Sequence, residues 1–527
     1  MIQISESLRA DMLAKGIDIA LATQILEDYN SGFYDNVKPV AAKAVPPIDG
    51  STVIDLRHPR NPEAILFSVG ADCAKTNLAA LGLDVPASLR DIPDSSSPAA
   101  QAHFSAADLE AIGTALLPRS AFGVLNGGSA TSYADRKKNL ALGRAAFDAV
   151  AQGFEGLAPL CREMPKGMTP AYVNPDGSPG ASFLELKMRA RLLLAQRYSG
   201  KIAASEGHQS AEKLPDHFLP LFQMTSLSND KVLSEYYAKT ASSPFLASLA
   251  CGTGLEASAW STGVQPMIAA YSHSEEGRPK RVFSTAFGKP DSSLPLPGGH
   301  GQCFRVLGSV FRAMRDKGVK FACLGNVDNL GYTPDPIELG IMAVSGRSAA
   351  FDFAVRTPMD VKGGILVETV EGGLTVADIG PAISFDALLE FESRGFPILF
   401  NCASGIFDLD YLVPRIDEIA RKLPVRFSDQ DKDAGKYSQA EQVTWEVTGI
   451  LPSFLAFAVD KKERFLAAKL LLDTLLTSGI GLKNPDLPED LRKTAASLHE
   501  GLESMLSRVY GLELSGGRWL PRELLAI

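Results

Sequence analysis

Apolar residues fall into two rhythms along this chain. Near the start they recur about every fourth position, at Leu13, Ile17, Leu21 and Ile25 behind Ser5 and Glu6, the period of an amphipathic helix. Ser105-Ala106-Ala107-Asp108 predicts another helix start, because a hydroxyl and a following acid satisfy the first free N–H groups. Between them, Ile92-Pro93-Asp94-Ser95-Ser96-Ser97-Pro98 reads as a loop or linker. From about residue 116 to 410, apolar runs of strand length alternate with helical periods, the pattern of an α/β domain. The end of the chain returns to helical faces, Leu470 to Leu476 and Leu498 to Val509. The expected division is therefore a mainly helical region 1–115, an α/β domain 116–410, and a mixed then helical region 411–527.

Four apolar runs of the middle region end in glycine or hydrogen-bonding residues. Phe122-Gly123-Val124-Leu125 gives way to Asn126-Gly127-Gly128 and then Ser129-Ala130-Thr131-Ser132. Leu219 to Met224 ends in Thr225-Ser226, Phe321 to Leu324 in Gly325-Asn326-Val327-Asp328-Asn329, and Pro397 to Phe400 in Asn401-Cys402-Ala403-Ser404. Each reads as a parallel strand opening onto one crevice, where open α/β sheets bind ligands. Bare glycines at such an edge let a flat base or a phosphate reach main-chain N–H groups. A Pro/Gly/Ser-rich loop from Lys289 to Gly301 leads into a helix expected from about Cys303 to Lys317, whose N-terminus would offer partial positive charge.

The chain is long enough, at 527 residues, for two or three domains. A net charge of −9 argues against a nucleic-acid polymer as partner, though local lysines still permit a nucleotide substrate. No apolar run is long enough to span a bilayer, and Met1 to Glu6 lacks the features of a signal peptide. The six scattered cysteines include no Cys-x-x-Cys pair; they read as reduced thiols of a cytoplasmic protein, with no zinc site among them. No Gly-x-Gly-x-x-Gly follows the first strand, which sets aside a nicotinamide dehydrogenase.

The ordered series of motifs from about residue 120 to 470 resembles the eukaryotic-type UTP–glucose-1-phosphate uridylyltransferases and the related UDP-sugar and UDP-N-acetylglucosamine pyrophosphorylases. Leu125-Asn126-Gly127-Gly128 matches the family's Leu-x-Gly-Gly loop, with Asn as in the glucose branch. Pro165-Lys166-Gly167-Met168, Met224-Thr225-Ser226 and Gly298-Gly299-His300-Gly301 (with Pro297 shifted by one) follow. Asn326-Val327-Asp328-Asn329-Leu330-Gly331 matches without a gap and is the strongest element; then come Asp360-Val361-Lys362-Gly363-Gly364, Phe400-Asn401 and Arg464-Phe465-Leu466-Ala467-Ala468-Lys469. Three features depart from the family: Ala130 in place of a glycine, an extra segment between Thr131 and Pro165 with a helix expected from Asp135 to Phe154, and a helical C-terminal region where the glucose enzymes usually carry a β-helix.

The resemblance implies a Rossmann-like nucleotidyltransferase fold, glycosyltransferase-A-like, with a mixed sheet and helical N- and C-terminal regions. It implies an enzyme joining UTP to a sugar 1-phosphate, most simply glucose 1-phosphate. UDP-N-acetylglucosamine or broad UDP-sugar synthesis is the alternative within the class, and a non-catalytic nucleotide-sugar-binding protein the alternative outside it. Lys166 and Lys469 are then the catalytic lysines at the phosphates. Leu125, Asn126, Gly127, Gly128, Gln265, Gly299 and Gly301 hold the nucleotide. His300, Asn326, Asp328, Gly364, Asp378 and Asn401 hold the sugar phosphate, with no proton transfer assigned to His300. Asp328, a hard oxygen donor, takes Mg²⁺ or a sugar hydroxyl unless it merely caps its turn. Lys362 is open between site and β-turn, whereas Lys137 and Lys138 read as a solvated face. The sequence leaves the oligomeric state open.

Overall fold

The computed structural model describes all residues except 1–3, 36–39, 58–61, 87–88, 90–99, 129, 131, 142, 163, 207–213, 216, 358–359, 361–362 and 526–527, with backbone only for 202–206. The expected linker at 92–98 and Lys362 lie outside the described residues. A central sheet of eleven described strands organises the molecule. In chain order its main strands are β1 (Val53–Leu56), β2 (Ser120–Leu125), β3 (Leu221–Ser226), β4 (Trp260–Gln265), β5 (Phe321–Asn326), β6 (Ala349–Val355), β7 (Gly364–Thr369), β8 (Leu374–Asp378), β9 (Leu399–Asp408) and, beyond a separate hairpin, β10 (Leu455–Val459). The order across the sheet is β1-β10-β6-β9-β5-β2-β3-β4, with β7 beside the start of β9 and β8 beside β7.

β2, β3 and β5 are where the apolar runs predicted strands, and β2 and β3 are buried at every residue, as parallel strands covered on both faces must be. The fourth run behaves differently. β9 is antiparallel to both β5 and β6, while the rest of the main path is parallel. Asn401 therefore lies near the beginning of a long strand and is no strand exit. Antiparallel direction nevertheless puts that beginning at the edge where β2 and β5 end, so Asn401 stays on the crevice side. The sheet is mixed for this reason, and the α/β class holds.

The N-terminal helices form where polar caps precede apolar periods. Ser5 caps Glu6–Ala14 and Asp18 caps Ile19–Asn30, dividing the expected single run in two. Ser105 and Asp108 form the expected capping box of helix Ala106–Ala115. The same region also supplies strands, including β1, which pairs with β10 inside the central sheet. The extra segment holds two helices, Arg136–Leu140 and Arg144–Cys161, instead of one. The helix expected from Cys303 is likewise divided into Cys303–Val306 and Gly308–Asp316. Towards the C-terminus, Leu471–Thr477 packs on Arg144–Cys161, and Glu489–Arg508 precedes a two-stranded hairpin, Leu512–Ser515 with Arg518–Pro521. Among the described residues no helix is long and apolar enough to cross a membrane. All six cysteines are free thiols.

Candidate active site

Three loops meet at the carboxyl edge of β2, β4 and β5. The loop after β2 is held from both sides: Asn126 N–H donates to Met224 O at 2.8 Å, and Asn229 Nδ2 donates to Asn126 O at 3.0 Å. The Asn126 side chain is buried and turned inward, donating to Gln223 Oε1 at 3.1 Å. Lys166 N–H donates to Gly128 O at 3.0 Å, which pins the Pro165-Lys166 segment beside the two glycines. Leu125 is buried as the last strand residue, so Gly127 and Gly128 carry the exposed backbone of the edge.

Gln265, at the end of β4, ties this loop to the next. Its Nε2 donates to Gly299 O at 2.8 Å and to Gln302 Oε1 at 3.0 Å, and its Oε1 faces Gly127. Gly299 has φ +82°, and a Cβ there would stand 2.3 Å from Gln442 O, so only glycine fits. Gly301 is similarly pressed against Gln442. His300 Nδ1 accepts from Thr444 N–H at 3.1 Å, which places any ring proton on Nε2. Burial, aided by the nearby Lys469 ammonium, holds the imidazole down at about 4. A neutral His300 fits a contact role with no proton transfer at neutral pH.

The two lysines separated by about 300 residues do converge. Lys469 stands on an irregular stretch after helix Lys461–Arg464, and its Nζ lies 3.7 Å from Asp328 Oδ2. Asp328 O accepts from Ala468 N–H at 3.3 Å, and Leu330 N–H donates to Leu466 O at 3.0 Å. The C-terminal stretch thus lies along the Asn326–Gly331 turn like an added strand. Lys166 is buried, its Nζ has no hydrogen-bond partner, and that Nζ sits 3.0 Å from the centre of the Tyr133 ring. Burial pushes its ammonium down to about 7; the Asp328 carboxylate opposes that shift and Lys469 adds to it. Burial likewise raises the Asp473 carboxyl, which accepts from Leu470 N–H at 2.8 Å.

Beside this centre lies a second group. Asn326 ends β5 in register with Leu125. Gly364 pairs with Asp378 across β7 and β8, and Asn401 is the nearest side chain to Gly364 from β9. Asn401 Oδ1 accepts from Ala403 N–H at 2.9 Å, while Asp378 pairs with Arg426 at 3.3 Å. Several of these side chains (Asn126, Gln265, Asn401, Asp378) spend hydrogen bonds or ion pairs on the protein itself.

Two buried cations beneath the crevice, Lys187 and Arg464, have no site role in the sequence pattern. Lys187 Nζ donates to Asn329 O at 2.6 Å and to Tyr332 O, and Arg464 bridges Glu338 and Asp352 at 2.9 and 3.0 Å. Together they hold the turn that presents Asp328. Arg464 was visible as part of a motif; Lys187, within Glu185-Leu186-Lys187-Met188-Arg189-Ala190-Arg191, alternates with apolar residues as a solvated face would.

A Gly-rich edge, two convergent lysines and a carboxylate thus meet on a mixed α/β sheet. Residues 282–480 match the model of the UTP–glucose-1-phosphate uridylyltransferase family, a segment that contains His300, Asp328, Asn401 and Lys469. No curated protein sequence matches the chain. Among solved structures, the fold is similar to a Trypanosoma brucei UDP-N-acetylglucosamine pyrophosphorylase in complex with inhibitor (TM-score 0.55, 16% identity, 96% of this chain and 91% of that one). It is similar also to a Trypanosoma brucei UDP-glucose phosphorylase (0.52, 17%, 93% and 81%). A third is a Leishmania major UDP-glucose pyrophosphorylase mutant in complex with UDP-Glc (0.53, 16%, 90% and 79%).

Proposed function

We propose that this chain is a Mg²⁺-dependent uridylyltransferase that makes UDP-glucose and pyrophosphate from UTP and glucose 1-phosphate. The observation that carries the reading is the convergence of Lys166 and Lys469 on Asp328 beside the Gly127-Gly128 edge. A phosphate oxygen of the sugar phosphate attacks the α-phosphorus of UTP in line; the bond to the bridging oxygen breaks and pyrophosphate leaves with its charge. No protein nucleophile is needed, so catalysis rests on positioning and on charge neutralisation.

Lys166, buried and without a hydrogen-bond partner, gains most from a phosphate oxygen; Lys469, exposed and 3.7 Å from Asp328, meets the same triphosphate from the C-terminal stretch. Backbone N–H groups at Gly127 and Gly128 suit the base, and Gln265 serves as the brace between the base loop and the Gly299 loop. Asp328 fits a Mg²⁺ ligand, since its carboxylate stands 3.7 Å from the Lys469 ammonium and is free of a close ion pair with it. Among the described residues no cluster of three or more His, Cys, Asp or Glu forms a metal cage, which suits an ion that completes its shell with water and phosphate oxygens. That ion would supply charge neutralisation at the phosphates. Glucose is preferred on the resemblance of Asn126 to the glucose branch, and the free thiols fit a cytoplasmic setting.

The deciding experiment measures pyrophosphate release from UTP, ATP and GTP against glucose 1-phosphate, N-acetylglucosamine 1-phosphate and galactose 1-phosphate, with and without EDTA. UTP with glucose 1-phosphate and Mg²⁺ should be fastest. Equal rates with the three nucleotides would overturn the uracil assignment. Release with N-acetylglucosamine 1-phosphate alone would move the sugar assignment, and no release with any sugar would favour a binding protein.

A further inference from the structure

The extra segment between Thr131 and Pro165 delivers one side chain into the centre of the site. We propose that Tyr133 is a positioning residue that holds the two lysines in one arrangement, its ring seating Lys166 and its polar atoms anchoring the stretch that carries Lys469. This inference rests on the uridylyl-transfer reading above.

Tyr133 is 2 % exposed, and its ring centre stands 3.0 Å from Lys166 Nζ, with the Phe183 ring farther off at 5.6 Å. An ammonium buried without a hydrogen-bond partner is held by the face of an aromatic ring, whose quadrupole replaces part of the lost water. The same ring leaves the donor protons of Nζ unclaimed, so they remain available to a ligand oxygen. A carboxylate in that place would seat the lysine too, but would compete with the phosphate for it.

The polar atoms of Tyr133 point the other way, to the segment just beyond Lys469. Its hydroxyl lies 2.7 Å from Thr474 Oγ1, and its carbonyl accepts from Leu471 N–H at 3.0 Å. Asn139, also from the extra segment, donates to Tyr133 O at 2.9 Å and accepts from Leu472 N–H at 2.9 Å. The start of helix Leu471–Thr477, and with it the chain immediately after Lys469-Leu470, is thereby fastened to the residue under Lys166. The extra segment acts as a strut between two lysines that come from distant parts of the chain.

The test compares Tyr133→Phe, which keeps the ring, with Tyr133→Leu, which loses it, alone and on a Lys166→Ala background. Tyr133→Leu should lower kcat about tenfold or more with the KM for UTP within about twofold, the scale of one desolvated cation–ring contact. On the Lys166→Ala background it should cost almost nothing more, because the contact is already gone. Tyr133→Phe should stay within about threefold of wild type and be no worse when combined with Thr474→Val. A Tyr133→Leu enzyme within twofold of wild type, or a loss that multiplies in full onto that of Lys166→Ala, overturns the proposal. If Tyr133→Leu does not fold, Tyr133→Met takes its place. A second arm reads the contact without activity: trace acylation of lysines followed by peptide mass spectrometry. Lys166 should be labelled several-fold faster in the ring-less variant while Lys137 and Lys138 are unchanged; equal labelling overturns the proposal. If the wild-type chain releases no pyrophosphate at all, the uridylyl reading fails on that control, and the labelling arm still decides the contact.

Discussion

Lys166 combines two demands that conflict. Its burial favours the neutral amine, while the proposed chemistry at a triphosphate needs the ammonium. In the free protein, kcat/KM should therefore fall as pH rises through about 7, with the limb displaced upward in kcat once phosphate is bound. The stability effect has the opposite sense. Between about 7 and the unfolded value of 10.5 the unfolded chain binds the extra proton, so stability rises with pH across that window. Lys166→Met should flatten that rise, as melting curves at pH 7 and pH 10 would reveal. Lys166→Ala should cost about 10²–10³ in kcat, the scale of one lost preorganised donor, and Lys469→Ala a similar amount, mostly in kcat rather than KM. Lys138→Ala, on the exposed helix of the extra segment, should be close to wild type in the same assay. Asp328→Asn keeps shape and removes charge; activity should collapse across a Mg²⁺ titration with little change in melting temperature. Retained activity there would leave Asp328 as a turn cap.

Packing between elements decides where the crevice residues stand. Helix Ala106–Ala115 crosses helix Pro336–Ser345 so closely that a Cβ on Gly113 would lie 1.7 Å from Pro336 O, and one on Gly340 would lie 2.1 Å from Leu109 O. Neither neighbour is a flexible side-chain end, so the helices must part to admit a methyl group. Gly340→Ala should therefore destabilise the protein by about 1–3 kcal/mol or more, the cost of overpacking, read as a shifted denaturation midpoint. Because Glu338 on that same helix holds Arg464, kcat should fall along with stability. A Gly340→Ala protein with wild-type melting would mean that the two helices separate freely.

The molecule as a whole joins three distant stretches of chain at one sheet edge. A ligand that bridges them stabilises the folded state by mass action, about 2.7 kcal/mol at a hundredfold excess over Kd. UTP should raise the melting temperature measurably, and ATP at the same concentration should not. Equal shifts for both would indicate a triphosphate site blind to the base.

Strand-forming runs, helix caps and short ordered motifs are local, and the chain alone determined them. β2, β3 and β5, the Ser105 capping box and the Asn326–Gly331 turn all stand where the pattern of residues predicts. Their physical cause lies within a few residues of each, in periodicity, capping groups and backbone freedom. Tertiary structure alone decided what depends on partners far away in sequence. The reversal of β9 carried Asn401 to the crevice from the start of a strand, and β1 joined the sheet from a region expected to be mainly helical. Lys187 and Arg189 went into the core because backbone carbonyls 142 and 321 residues on, and Glu523 for Arg189, met them there. The extra segment, unremarkable as a string of residues, gained its place at the site because Tyr133 met Lys166 on one side and Thr474 on the other. Burial and pairing belong to the assembled chain, since the groups that repay them are neighbours only after folding.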